Sequence, residues 1–344
     1  MKEIRLTTLL TELLIIAAIF KSRLMPQRKQ LKLSSFFIFL LFSVFIIASC
    51  TPPRAIYNSG KVTPHKQFKV GADFSANLTS HIARSLYDNV KSVATPLLTK
   101  DSLNLNDQIT YLNKTALAYA IDPFGVGYGF YARYGVASRF DLGYKFTSGT
   151  HVFDGMYQFM GSTGTFEAPR KDVLNGSAGV QYSFKSYDLP SWSGLDKAQS
   201  VLGFNFKRKD LMIPLIFSLS LGEEETYGSV AFGCVYSRTF INYGFGNNRI
   251  YDTLNHHAPQ LVNFLDVKNN FSAFGTFFNI KLGYKFIYVI PACALYYQNY
   301  GTYKLIDGSE AKFKGFSFVP SLGVQINPTE ISKALKKKQG VKKV

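Results

Sequence analysis

The chain has 344 residues, of which 18% are charged and 15% aromatic, and it holds 27 Gly. That is aromatic- and Gly-rich for a soluble enzyme. The net charge of +17 gathers at the ends: residues 1–49 and 329–344 carry +5 each, leaving +7 for the body. Basic residues collected at termini, not on a folded face, argue against nucleic acid as a partner.

Residues 1–24 hold an apolar run, Leu6 to Phe20, broken by Thr7, Thr8, Thr11 and Glu12. Met25, followed by Pro26-Gln27-Arg28-Lys29, opens a complete export signal by itself. We therefore expect 1–24 to be a dispensable or untranslated extension and 25–49 to be a signal peptide. Arg28, Lys29 and Lys32 form its basic region, and Leu33 to Ile47 its apolar one. That run is short for a transmembrane helix, which needs about 20 residues. The order Ile47-Ala48-Ser49-Cys50 resembles the lipobox of bacterial lipoproteins. The resemblance implies a covalent lipid on Cys50, cleavage before it, and Cys50 as the mature N-terminus. No other cofactor is expected. Thr51-Pro52-Pro53 then reads as the start of a tether over 50–65.

From residue 66 to 326 the chain reads as strands. Val126, Tyr128, Phe130, Ala132, Tyr134 and Val136 alternate with Gly and polar residues. After a turn at Ala137-Ser138-Arg139 come Phe140, Leu142, Tyr144 and Phe146, alternating with Asp141, Gly143, Lys145 and Thr147. The same pattern recurs at Phe68–Ser75, Leu174–Phe184, Phe274–Phe286 and Gly315–Ile326. Weaker strands fall near 152–160, 211–221, 227–240 and 288–300, and 199–208 is either an extra strand or part of a long bulged one. Alternation alone also fits a soluble sandwich. However, the apolar face is rich in Phe and Tyr, while the other face carries Gly, Ser, Asn, Gln and Lys, which make a poor core. The expected fold is therefore all-β: an antiparallel transmembrane β-barrel of about ten strands (8–12). An even count puts both barrel ends on one side of the membrane. Lumen-facing charges follow from the alternation: Lys69, Asp73, Arg133, Asp141, Lys145, Lys185, Lys281 and Lys285. Cys234 and Cys293 read as small outward hydrophobes.

Residues 77–122 break the pattern. Leu78, Ile82, Leu86, Val90, Val93 and Leu97 recur at helical spacing, as do Ile109, Leu112, Ala116 and Ala120. A helical insert between the first two strands is expected, either plugging the lumen or capping the rim. Residues 327–344 form a basic tail, Lys333, Lys336, Lys337, Lys338, Lys342 and Lys343, read as a solvated mobile end. A second reading is periplasmic contact with peptidoglycan or acidic lipid.

Enzymatic motifs are not found: no nucleotide loop, nucleophile elbow or metal spacing stands in context. His256-His257 is an adjacent pair in a loop. Glu223-Glu224-Glu225 reads as a solvated acidic turn. No catalytic or metal residues are assigned.

The layout resembles outer-membrane β-barrel lipoproteins common in the Bacteroidota. The resemblance rests on Ile47-Ala48-Ser49-Cys50 and on the hairpin Tyr131 to Phe146. It implies residence in the bacterial outer membrane with membrane lipid as partner. Surface-exposed lipoproteins of that group often carry acidic residues after the Cys, and Thr51 to Ala55 lacks them. The lipid and the tail are thus both expected on the periplasmic side. The expected function is a small pore or transporter for solutes or lipids. Alternatives are a structural or assembly component and a lipid-modifying barrel enzyme.

Overall fold

The computed structural model describes residues 53–80, 114, 117–118, 120–170, 173–187, 204–245, 251–252, 260–261, 265–305 and 309–341. Its strands are β1 (Phe68–Thr79), β2 (Gly125–Ala137), β3 (Phe140–Thr147), β4 (Thr150–Met160), β5 (Leu174–Tyr187), β6 (Phe204–Leu221), β7 (Gly228–Phe245), β8 (Tyr251–Asp252), β9 (Gln260–Leu261), β10 (Leu265–Tyr284), β11 (Ile287–Lys304) and β12 (Glu310–Ile326). A helix, α1 (Pro328–Val341), follows β12. β8 and β9 pair only with each other. The other ten close into a barrel of antiparallel neighbours, as the alternation predicts. β12 returns to β1 with Val70 opposite Ile326 and Leu78 opposite Phe318. Every one of these ten strands has a neighbour on both sides, which is the condition for a sheet to cross lipid. The 199–208 ambiguity resolves into one long strand from Phe204.

Each strand sorts its residues as its sequence alternates. Phe68, Phe130, Phe153, Phe274, Leu282, Leu295 and Phe316 stand on the outer wall, with Phe274 64% exposed. Their partners in the alternation, such as Asp73, Ser75, Asn77, Asn175, Ser177 and Asn279, are buried inside. Aromatic pairs sit on the outside near the end where β1 begins: Phe68 with Tyr134, and Tyr227 with Tyr284, at centroid distances of 4.5 and 5.9 Å. An apolar wall with aromatic rims and a polar interior is the reverse of a soluble sandwich and the pattern of a membrane barrel. Cys234 is exposed on this wall and Cys293 half-exposed.

At the end where β1 begins and β12 ends, β2–β3, β6–β7 and β10–β11 are joined by short turns. The connections from Thr79 to Gly125 and from Tyr187 to Phe204 leave from the other end, as does the short β3–β4 turn. In membrane barrels the short turns face the periplasm and the longer loops face outward. β1 runs on to Thr79, and Ser80 begins the insert as helix. Most of the insert expected over 77–122 lies outside the described residues. Its described end, Leu117, Ala118, Ala120 and Ile121, is helical and buried.

The basic tail departs from expectation. It is not a free end but the helix α1, tied to the barrel at the end where β1 begins. The Thr329 hydroxyl accepts from the Phe68 backbone N–H at 3.0 Å, and Glu330 accepts from Gln67 Nε2 at 3.1 Å. Lys333 pairs with Glu330 and Glu167 at 3.0 and 3.2 Å. Pro328 at the start fits, because its missing N–H falls where a helix has no partner to offer.

Candidate functional site

The stretch expected as a tether occupies the lumen. Arg54, Ile56, Tyr57, Ser59, Gly60, Lys61, Val62 and Thr63 are all buried. They run lengthwise through the barrel, and their partners lie progressively nearer the end where β1 begins. The Pro53 carbonyl accepts from Gln181 midway along β5. Tyr296 of β11 donates to the Arg54 carbonyl at 2.7 Å. Asn279 donates to the carbonyls of Ile56 and Asn58. The Gly60 N–H donates to Ser218 at 2.9 Å, three residues from the end of β6. The Val62 N–H donates to Gln158, and the Thr63 N–H to Asp141 at 2.7 Å. His65 then bridges Gly135, and β1 begins. A segment without regular structure must find partners for its backbone once buried. The inward Asn, Gln, Ser and Asp side chains supply them.

Small residues make the fit. A Cβ on Gly60 would lie 2.4 Å from the Asn175 carbonyl oxygen, and one on Gly135 would lie 2.0 Å from that of Pro64. Inward glycines leave room inside the barrel, and at Gly135 that room holds the segment.

Three ionic clusters fix it. In the half of the barrel nearer the insert, Asp122, at the end of the insert, is a hub. It accepts from Arg54 at 2.7 Å, Asn77 at 2.7 Å, Ser317 at 2.8 Å, Gln298 at 3.2 Å, and from Tyr300. Burial alone would push its carboxyl up; Arg54, Tyr300 and Arg208 outweigh that and hold it below the usual carboxylate range. Arg208 pairs with Asp210 and donates to the Ile121 carbonyl, tying the insert's last turn to the wall. At mid-height, Arg133 of β2 pairs with Asp141 of β3 and Asp154 of β4, while Lys145 pairs with Asp73 at 2.9 Å. The Lys145 ammonium also stands 5.0 Å from the Tyr57 ring, within reach of a cation–π attraction. At the end where β1 begins, Lys61 pairs with Glu224 and Lys281 with Glu225. Burial pushes the Glu225 carboxyl up, and Lys281 and Lys69 more than offset it, so it too lies low.

The residues expected to face the lumen are thus placed as follows. Asp73, Arg133, Asp141, Lys145 and Lys281 are in the ionic clusters. Lys69 lines a small cavity at the end where β1 begins, with Lys61, Glu224 and Glu225. Lys185 reaches the Ser148 carbonyl at the β3–β4 turn. Lys285 is not in the lumen. It sits in the β10–β11 turn with a left-handed φ of 39°, its ammonium 5.5 Å from the ring of outward Tyr284. The alternation reads straight through that turn, but the backbone reversal there ends the pleat.

The acidic turn is also corrected. Glu224 and Glu225 are buried, because two lysines and backbone N–H groups are waiting for them; the Arg170 N–H donates to Glu224 at 2.7 Å. Arg54, Lys61 and Asp122 escape the sequence reading because none lies in an alternating strand. His256 and His257 lie outside the described residues. Among the described residues no group of His, Cys, Asp and Glu is arranged to hold a metal ion.

The fold and its interior define a membrane-type antiparallel β-barrel with a chain segment running through its lumen. Compared with known proteins, no family model matches the chain, and no curated protein sequence does. Solved structures similar to it include the outer membrane protease OmpT from Escherichia coli, at 7% identity and a TM-score of 0.35 over 77% of this chain and 97% of that one. Neisserial surface protein A is 12% identical over 75% and 96%, with a TM-score of 0.28. A major outer membrane protein from Thermus thermophilus is 9% identical over 76% and 99%, also with a TM-score of 0.28.

Proposed function

We propose that the protein is an outer-membrane β-barrel lipoprotein, lipidated on Cys50, that acts as a structural or assembly component and not as a standing pore. The observation that carries this reading is the course of residues 54–63 through the lumen, bonded to the wall along its length. An open channel needs a continuous water path, and here Arg54, Tyr57 and Lys61 lie across it. The aromatic outer wall supports the membrane setting.

A gated pore or transporter for solutes or lipids is the second reading. One feature favours it: the segment is held by ion pairs and hydrogen bonds, with small cavities left beside it. The test is liposome swelling with the purified protein. Sealed barrels admit no sugar and leave swelling at the level of empty vesicles. Swelling as fast as with an open porin would overturn the structural reading.

A further inference from the structure

The direction of the lumenal segment decides on which side of the membrane the N-terminus emerges. The inference rests on the outer-membrane reading above and extends it. Going back from β1, the chain enters the barrel at the periplasmic mouth and climbs. Thr63 bonds to Asp141, one residue into β3. Arg54 bonds to Ser317, nine positions before the end of β12. Nine residues at about 3.3 Å each, on strands tilted about 40°, rise roughly 23 Å, close to the full apolar band of about 25 Å. The Arg54 guanidinium therefore reaches toward the outer boundary of the membrane.

The wall is lowest where the segment ends. Gln181, which donates to the Pro53 carbonyl, is opposite Asp154, four residues below the β3–β4 turn. β3 has only eight residues. Four tilted residues rise about 10 Å, and the three residues from Pro53 back to Cys50 span at most about 10 Å. Seven residues separate Gln181 from the start of β5, about 18 Å on strands tilted about 40°, so the three residues before Pro53 cannot reach back to the periplasmic mouth.

We propose that the chain N-terminal to Pro53 leaves the barrel through its outer mouth, on the side of the β3–β4 turn, so that a lipid on Cys50 would enter the outer leaflet. N-terminus and C-terminal helix then lie on opposite sides of the membrane. This reverses the expectation that both face the periplasm. It also gives the lipid a function that the barrel does not already serve. The barrel holds the protein in the membrane regardless, whereas an outer-leaflet lipid prevents the lumenal segment from sliding back through.

The test uses full-length protein in cells, with Cys234→Ala and Cys293→Ala as background. Thr51→Cys and Ser332→Cys are each labelled with a membrane-impermeant maleimide, before and after outer-membrane permeabilisation. The expected result is Thr51→Cys labelled on intact cells and Ser332→Cys only after permeabilisation. Intact mass should show diacylglycerol and acyl chains on Cys50. Labelling of Thr51→Cys only after permeabilisation, or in neither state, would overturn the exit side. An unmodified Cys50 would overturn the outer-leaflet lipid. Heat-modifiable mobility of both variants in the outer-membrane fraction holds the barrel reading fixed, and its loss would strike that reading instead.

Discussion

Arg54 and Asp122 meet at 2.7 Å although 68 residues separate them in the chain. The contact joins the lumenal segment to the end of the insert, and both partners are buried. Removing one member of such a pair leaves an uncompensated charge and costs about 3–5 kcal/mol. Asp122→Ala should therefore lower the temperature at which the folded gel band converts to the unfolded one. Arg54→Ala should do so less in combination with Asp122→Ala than alone, because no carboxylate is then left stranded. Equal and additive shifts would show that the two do not interact.

The barrel end where β1 begins permits a charge swap. Lys61→Glu would set three buried carboxylates together with Glu224 and Glu225, with Lys281 and Lys69 near them. Loosening of the lumenal segment should follow, read as faster protease cleavage within residues 53–67. Adding Glu224→Lys restores opposite charges at the same place and should recover most of the protection. No recovery would mean that this pair does not hold the segment.

The fold is legible because alternation is a direct imprint of a wall with two solvents. Phe130, Phe274 and Phe316 point to lipid and Asp73 and Arg133 inward in the sequence as in the barrel. The lumen's occupant is not legible. Residues 53–63 carry no period, since each is placed by a different strand: Ser218 at Gly60, Gln158 at Val62, Asp141 at Thr63. Such contacts are set by barrel diameter and register, not by neighbours in the chain. Glu224 and Glu225 mislead for the same reason, because their partners Lys61 and Lys281 are distant in sequence. What the sequence does show is space, in inward Gly129, Gly135 and Gly143, without saying what fills it.

Gly135 offers a substitution aimed at the segment. A Cβ there would fall 2.0 Å from the Pro64 carbonyl oxygen, a backbone atom that can move only with the chain. Gly135→Val sits two residues from the end of β2, so the barrel should still close. Hydrogen exchange of the amides of Thr63, Lys66 and Gln67 should accelerate about tenfold as this segment opens locally, with those of β10 and β11 unchanged. Unaltered exchange at Thr63 would contradict the packing of Pro64 on this strand.

Acid should act late. Asp122 and Glu225 titrate below their ordinary values of 3.8 and 4.5. A carboxylate held low in the folded state stabilises it fully above its unfolded value, and that contribution is lost as pH falls through the folded one. Protease protection of residues 53–67 should thus be the same at pH 7 and pH 5 and fail only below about pH 3.8. Loss of protection between pH 7 and 5 would implicate a different group.

The central claim is that the chain's own N-terminal segment seals the barrel, and planar-bilayer conductance tests it most directly. Wild-type protein should give no steady single-channel current. A variant lacking residues 54–63, verified as folded by heat-modifiable mobility, should give discrete conductance steps. Steps of the same size from both proteins, or none from the folded deletion variant, would contradict the account.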